Sequence, residues 1–279
     1  MTDVDEWVNG ESKTDTIHEF HMDMIKFSEI VHCVGSMGSG KTFLELFISY
    51  IKKHLYPAAQ IVCGTEDSQN AFTPPFGAAF VSSKYEEFSH KRACARQIIC
   101  KKNNCPYNGI ISIIDDIGYD RKASKCETII KAHKNGSQWF DELMIMGYQS
   151  VKDVPEALLN APSKVFIFLE KDDGNRRLIH RAYFKTLVPD YKEFSKMMND
   201  ICQDFACLVV DLKQQVSELS KCVFWFRAPF WLWPNSDDPQ KKRPYPEGWR
   251  FGCKQYQEWS DARSDPNAVP EFITNLTEF

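Results

Sequence analysis

The segment VHCVGSMGSGKTFLELF, Val31 to Phe47, constrains the fold more than any other part of the chain. It places G-x-x-x-x-G-K-T between an apolar, β-rich run and a stretch with apolar residues at helical spacing. Such a loop needs a strand to enter it and a helix to leave it. Gly35, Ser36, Met37, Gly38, Ser39, Gly40, Lys41 and Thr42 then form a phosphate cradle. Its glycines let backbone amides turn inward, and the helix N-terminus adds partial positive charge. Lys41 is positioned to reach the β- and γ-phosphate oxygens, and the Thr42 hydroxyl to ligate Mg²⁺. The expected cofactors are ATP and Mg²⁺.

The rest of the chain repeats that alternation. Apolar runs at 29–35, 60–66, 109–116, 142–149, 163–170, 206–212 and 221–228 read as strands. Between them, 41–55, 83–102, 124–136, 175–187 and 190–201 read as helices. Strands that are apolar throughout belong to a mainly parallel sheet covered on both faces. The expectation is an α/β fold of the RecA-like P-loop ATPase type, with helices on both faces of a central sheet. With 279 residues, 43 % hydrophobic and 26 % charged, the chain suits one large domain with extensions. The divisions read are an acidic leader over 1–26, a P-loop domain over 27–228 and a Pro/Trp-rich extension over 229–279. The first 30 residues carry eight acids against two lysines, so the net charge of −4 hides a remainder of about +2. Ten scattered cysteines, no stretch of about 18 apolar residues and no basic-then-apolar start suggest a soluble protein of a reducing compartment, without a transmembrane segment.

A second carboxylate must hold the metal from across the cradle. The apolar run from Ile110 ends in Asp115-Asp116. Asp115 is read as the metal's partner and Asp116 as the general base that polarises the attacking water. The next strand ends at Gln149, placed to touch the γ-phosphate or that water. One strand lies in sequence between the loop strand and the Asp-Asp strand, and a polar-ended strand follows. That order suits the ATPase branch with an additional strand beside the loop strand. No N-K-x-D run is present, which argues against a GTPase.

Beyond the loop, GSMGSGKTFL, CGTE, IIDDIGYDRK, KNGSQW, YQSVKDVP, KVFIFLE, NRRLIHRAYF, DYKEFSKMMNDICQDFACLVVDL and VFWFRA occur in one order over about 27–228. In these pieces the chain resembles the virion DNA-packaging ATPases of nucleocytoplasmic large DNA viruses, in the FtsK–HerA superfamily. The resemblance implies a ring-forming motor that hydrolyses ATP and moves double-stranded DNA into a capsid. It implies catalytic roles for Lys41, Asp116, Gln149 and, near the site, Glu66. It also implies capsid or membrane-associated virion proteins as partners, and work at a viral assembly site in the host cytoplasm and in the virion. Ring ATPases complete each site with a neighbour's arginine, for which Arg176, Arg177, Arg181 and Arg121 are candidates. The chain departs from the family at Ser137, Gln138 and Trp139 and at Leu158 or Leu159, where arginines are common.

Lys91, Arg92, Arg96, Lys101 and Lys102, in an acid-free run, are candidate contacts to DNA phosphates, and the basic, aromatic stretch 240–250 is a second candidate. His90, Cys94, Cys100 and Cys105 suggest zinc, but without the close C-x₂-C pair. Other readings are a nucleotide-gated scaffold with little turnover, a helicase, or a nucleoside kinase. No arginine-rich lid of the kinase kind is evident.

Overall fold

The computed structural model describes residues 17–105, 108–116, 126–216, 218–230, 243–252 and 254–264. Arg121 and residues 240–242 of the second basic stretch therefore lie outside the described residues. The strands are β1 (His18–Glu19), β2 (Ile30–Val34), β3 (Ala58–Cys63), β4 (Val81–Ser82), β5 (Ile110–Asp115), β6 (Glu142–Tyr148), β7 (Lys164–Phe168), β8 (Cys207–Asp211) and β9 (Val223–Phe226). The helices are α1 (Lys41–Lys52), α2 (Glu66–Phe76), α3 (Glu87–Lys102), α4 (Glu127–Trp139), α5 (Asp173–Ile179), α6 (Tyr191–Ile201), α7 (Leu219–Cys222) and α8 (Lys254–Ser264). One sheet joins all nine strands in the order β1-β9-β8-β7-β2-β6-β5-β3-β4. Only β8 runs against its neighbours; the other pairings are parallel. The expected mainly parallel sheet is what forms, and β6 is the strand inserted between the loop strand β2 and the Asp-Asp strand β5.

Each central strand is buried on both faces, which is why its sequence is apolar without alternation. Val31, Cys33, Ile111, Ile113, Leu143 and Ile145 pack with Leu44 and Ile48 of α1 and with Phe72 of α2. On the opposite face Val34, Ile114, Met144, Met146 and Tyr148 pack with Ile129 of α4, Ile179 of α5 and Phe194 of α6.

Both flanks share these cores. Phe20, 1 % exposed, meets Phe166, Phe224 and Phe226 edge-on at 5.3–6.4 Å, a burial that contributes about 1.5–3 kcal/mol. At the other end Trp249 stands edge-on to Tyr50 and Phe76, Tyr256 stacks on Phe80, and the Phe251 amide donates to the Pro75 carbonyl. The described parts of the leader and extension are thus packed on the body; the division at 26/27 and 228/229 is a proposal.

Besides the short strands β1 and β4 and the helix α8, two regions differ from the sequence reading. Residues 66–76 form α2, which the reading did not include, and 175–187 is not one helix. There α5 gives way to a π-helical turn, His180–Phe184, closed by the Lys185 amide donating to the His180 carbonyl at 2.8 Å.

A polar pair sits inside the second core. His32 of β2 and His133 of α4 meet through Nε2 atoms 3.1 Å apart. His133 Nδ1 lies 2.8 Å from the Ile129 carbonyl, so it carries the proton and His133 Nε2 accepts from His32. Burial, and then the mutual proximity of the rings, holds the His32 pKa well below its usual value. Burial likewise lowers His133 to about 4, against the opposing pull of the Ile129 carbonyl and Glu142; His90 adds to the lowering. Such histidines bind protons in the unfolded chain before they bind them in the fold. Stability should therefore be fully present above pH ~6.5 and fall as pH drops from there towards 4, by up to roughly 1.4 kcal/mol per pH unit per histidine. Urea unfolding at a series of pH values checks this. His32→Phe, which keeps the ring beside Tyr148, should show a shallower acid limb, and an unchanged limb would contradict the assignment.

Candidate functional site

Parallel strands deliver their C-terminal ends to one edge. There β2 ends at Val34, β5 at Asp115 and β6 at Tyr148. The loop Gly35–Gly40 leaves β2 and enters α1, and Gly40 at its close has φ 105°, a value a side chain would strain. Lys41, although charged, is buried; its Nζ donates to the Gly35 carbonyl at 2.6 Å and to that of Ser36 at 3.2 Å. The ammonium is thus folded back into its own loop, on acceptors that an incoming phosphate can replace. Met37 is the exposed tip of the loop.

Across from the loop, Asp115 Oδ2 accepts from the Thr42 hydroxyl at 3.3 Å and from the Ser68 hydroxyl at 2.9 Å. Its Oδ1 is buried with no protein donor. Burial raises the Asp115 pKa and the neighbouring Asp116 charge adds to the rise; Ser68, Lys41 and Thr42 oppose it. Asp116 leaves the strand at φ 58°, a left-handed conformation that aspartate tolerates better than most residues. Its amide donates to the Gly147 carbonyl at 3.2 Å, and its Oδ2 accepts from Gln149 Nε2 at 2.9 Å. The second oxygen, Oδ1, is buried and without a protein donor. The structure therefore brings Lys41, Thr42, Asp115, Asp116 and Gln149 to one edge. Glu66 is exposed in the first turn of α2; the α2 residue that reaches Asp115 is Ser68, two residues further on.

A third carboxylate was not anticipated. Glu45 lies one turn beyond Lys41 on α1, fully buried, with both oxygens lacking a partner. Burial pushes its pKa well above the usual carboxylate range, and Asp115 pushes it further; Lys41 opposes the rise. Gly147 makes room for this crowding. A Cβ there would collide with Asp115 Oδ1 and stand 2.8 Å from Glu45 Oε1. Beside the loop, Gly40, Phe43, Phe168, Phe205 and Phe230 line a small aromatic recess. Phe205 is half exposed with φ 65°, and Phe230 meets both Phe43 and Phe205 edge-on.

The arginines separate clearly. Arg176 is spent internally, on the Glu170 carbonyl and the Ser195 hydroxyl. Arg177 pairs with Asp173 at 2.8 Å and lies 4.1 Å over the Tyr191 ring. Arg181, in the π-helical turn, is exposed and has no hydrogen bond or ion pair among the described residues. On α3, Lys91 is exposed and paired with Glu87, and Lys101 pairs with Asp141 at the start of β6, the edge away from the loop. Arg92 lies over Phe88, Arg96 bonds Gln97 and the Asn108 carbonyl, and Lys102 is exposed. Arg92, Arg96 and Lys102 thus reach solvent along one helix.

No model of a known family matches the chain. Uncharacterized protein 075L of Invertebrate iridescent virus 6 is 26 % identical over 245 residues, covering 88 % of this chain and 89 % of that protein. Uncharacterized protein 088R of Invertebrate iridescent virus 3 is 24 % identical over 241 residues, 85 % of each. Among solved structures, the genome packaging NTPase B204 from Sulfolobus turreted icosahedral virus 2 in complex with sulfate superposes with a TM-score of 0.53 at 18 % identity, over 73 % of this chain and 98 % of that one. The same protein in complex with AMPPCP gives 0.51 at 19 % identity, over 72 % and 98 %. The fold is that of RecA-like P-loop ATPases.

Gly147→Ala tests the crowding. The added methyl group should force Asp115 or Glu45 aside, costing about 1–3 kcal/mol of stability and weakening nucleotide-dependent thermal stabilisation. A variant with unchanged melting temperature and an unchanged response to Mg·ATP would show that the close approach is dispensable.

Proposed function

We propose that this chain is an ATP-hydrolysing motor subunit that moves double-stranded DNA, in the packaging of a viral genome. The observation that carries the reading is the contact chain Thr42–Asp115, Asp116–Gln149, facing the Lys41 ammonium at one edge of the sheet. It is supported by the fold shared with a protein named as a viral genome packaging NTPase.

On this reading Lys41 exchanges its loop carbonyls for phosphate oxygens, and the loop amides and α1 N-terminus hold the remaining charge. The donor set fits Mg²⁺: a hydroxyl, a buried carboxylate with an orphaned oxygen, and two further carboxylates with one ammonium beside them. Thr42 and Asp115 would hold the ion, which supplies positive charge at the β- and γ-phosphates. Asp116 Oδ1 accepts the proton of the attacking water, while Gln149 fixes the carboxylate through its other oxygen. Glu66 borders the site from α2. Among the described candidates, Arg181 is the arginine offered to a neighbouring subunit in a ring, since Arg176 and Arg177 are engaged within their own chain. The basic face of α3 meets DNA phosphates without reading sequence, as a translocating protein requires.

Turnover of ATP with and without duplex DNA tests the reading. Lys41→Ala should lower turnover by roughly 10²–10³-fold or more. Asp116→Asn should bind ATP while losing about 10²–10⁴-fold in hydrolysis. Duplex DNA should raise turnover of the unmodified protein. A protein that binds ATP and oligomerises, yet hydrolyses it no faster with DNA and no slower as Asp116→Asn, would be a nucleotide-gated scaffold instead.

Replacing Lys91, Arg92 and Arg96 with alanine should weaken DNA binding on any sequence. The slope of log K against log salt should flatten by roughly 2–3 if all three meet phosphates. An unchanged slope would remove α3 from the DNA surface.

A further inference from the structure

Away from the phosphate edge, α3 and the start of β6 enclose a second cluster of chemistry-bearing side chains. His90 and Cys94 are four residues apart on α3 and so share one face of the helix. That face meets Glu142, the first residue of β6. All three are almost completely buried, His90 to 1 %, Glu142 to 3 % and Cys94 to 7 % exposed. One ligand atom from each lies within 4.8 Å of the other two. His90 Nε2 stands 3.4 Å from Glu142 Oε1. Beyond that approach and the neighbouring Ser112 hydroxyl, His90 Nε2 and the two Glu142 oxygens have no well-formed hydrogen bond, in a closely packed place. Buried polar atoms left in this state cost about 1–3 kcal/mol each, more if charged.

We propose that His90, Cys94 and Glu142 bind a divalent first-row cation, zinc by the chemistry of its ligands, which ties α3 to β6. A thiolate, an imidazole and a carboxylate together suit Zn²⁺, whereas Mg²⁺ and Ca²⁺ take oxygen ligands alone. Tetrahedral bonds of about 2.0–2.3 Å space the ligand atoms roughly 3.6 Å apart, so these side chains need close by only about an ångström. The imidazole is already oriented for the task. Its Nδ1 lies 2.8 Å from the Tyr85 hydroxyl, and with the proton on Nδ1 the Nε2 lone pair faces Cys94 and Glu142. Tyr85 is held in turn by the Cys126 thiol at 3.3 Å. His133 is not needed as a ligand, because its Nε2 is taken by His32. The sequence spacing had suggested Cys100 and Cys105 with His90 and Cys94. The structure replaces both with a carboxylate some fifty residues along the chain, and Cys105 is exposed.

The test uses the full chain, untagged, stripped with chelator and dialysed against buffered Zn²⁺. About one zinc per chain should be retained, and its removal should lower the melting temperature. Cobalt substitution should give the near-ultraviolet band of a thiolate bound to Co²⁺, a signal that cobalt at the all-oxygen phosphate site cannot produce. Cys94→Ser should abolish that band, and Glu142→Gln should weaken zinc retention at least tenfold, while Cys100→Ser and Cys105→Ser leave both unchanged. An unmodified protein that keeps no zinc, or that gives the same cobalt band as Cys94→Ser, overturns the proposal. The first of these does not depend on how a variant folds, because it is read on the natural chain. Loss of the site would also leave the ATPase reading standing, since its residues occupy the other edge of the sheet.

Discussion

Around Gly147 the carboxylates of Glu45, Asp115 and Asp116 converge on the buried ammonium of Lys41, and two of them lie where a side chain on residue 147 would stand. Like charges this close cannot all ionise cheaply in a buried place. The fold tolerates them because Ser68 and Thr42 donate to Asp115, and because burial raises the pKa values of Glu45 and Asp115. Such a site favours a cation among its ligands. It gains most from a ligand that brings positive charge into the gap, which is the physical ground for the proposed Mg·ATP chemistry.

The sheet order explains how those groups reach one another. β6 lies between β2 and β5, so the phosphate loop and Asp115 are separated by one strand rather than adjacent. A strand in that position must pass between them without a side chain on the α1 face near its end, and Gly147 meets the requirement. The next polar residue, Gln149, then comes within reach of Asp116, which has turned out of β5 through its left-handed backbone. Insertion of β6, the glycine and the rotated aspartate form one geometric solution.

Much of this was legible in the chain. The loop motif named its own strand and helix, and runs such as GIISIIDD gave the buried strands and their acidic end. Other parts were hidden for physical reasons. Helix α2 has its signals, Thr65 capping the Ser68 amide, acids in the first turn and Gly77 at the end, but Pro74 and Pro75 in its last turns read as a loop. β1 and β4 are two residues long, too short to show a period. The acidity of the leader masked Phe20 and Ile25, which are core residues. Glu45 was missed because a polar residue four after Lys41 and four before Ser49 looks like a solvent-facing stripe. Here that stripe, Lys41, Glu45 and Ser49, points inward because its first members belong to the site. Glu142 could not be linked to His90 and Cys94 from spacing, since the sheet and not the chain brings them together.

The balance of charge also bears on why a subunit of this kind would work in company. Lys41 is the cation whose charge Glu45 and Asp115 feel, and it rests on carbonyls of its own loop. A triphosphate adds further negative charge, so on the proposed reading one ammonium and a divalent ion leave the transferring phosphate underscreened. Among the described residues, two of the candidate arginines are already engaged: Arg176 is bound to Glu170 and Ser195, and Arg177 to Asp173 and Tyr191. Arg181, exposed on a helix turn opened to π geometry, can offer its charge outward at little cost in lost internal contacts. On the proposed reading, a site short of positive charge and an arginine with no partner among the described residues would be complementary across an interface. Assembly would then complete each site with a neighbour's cation and make hydrolysis depend on the presence of the next subunit.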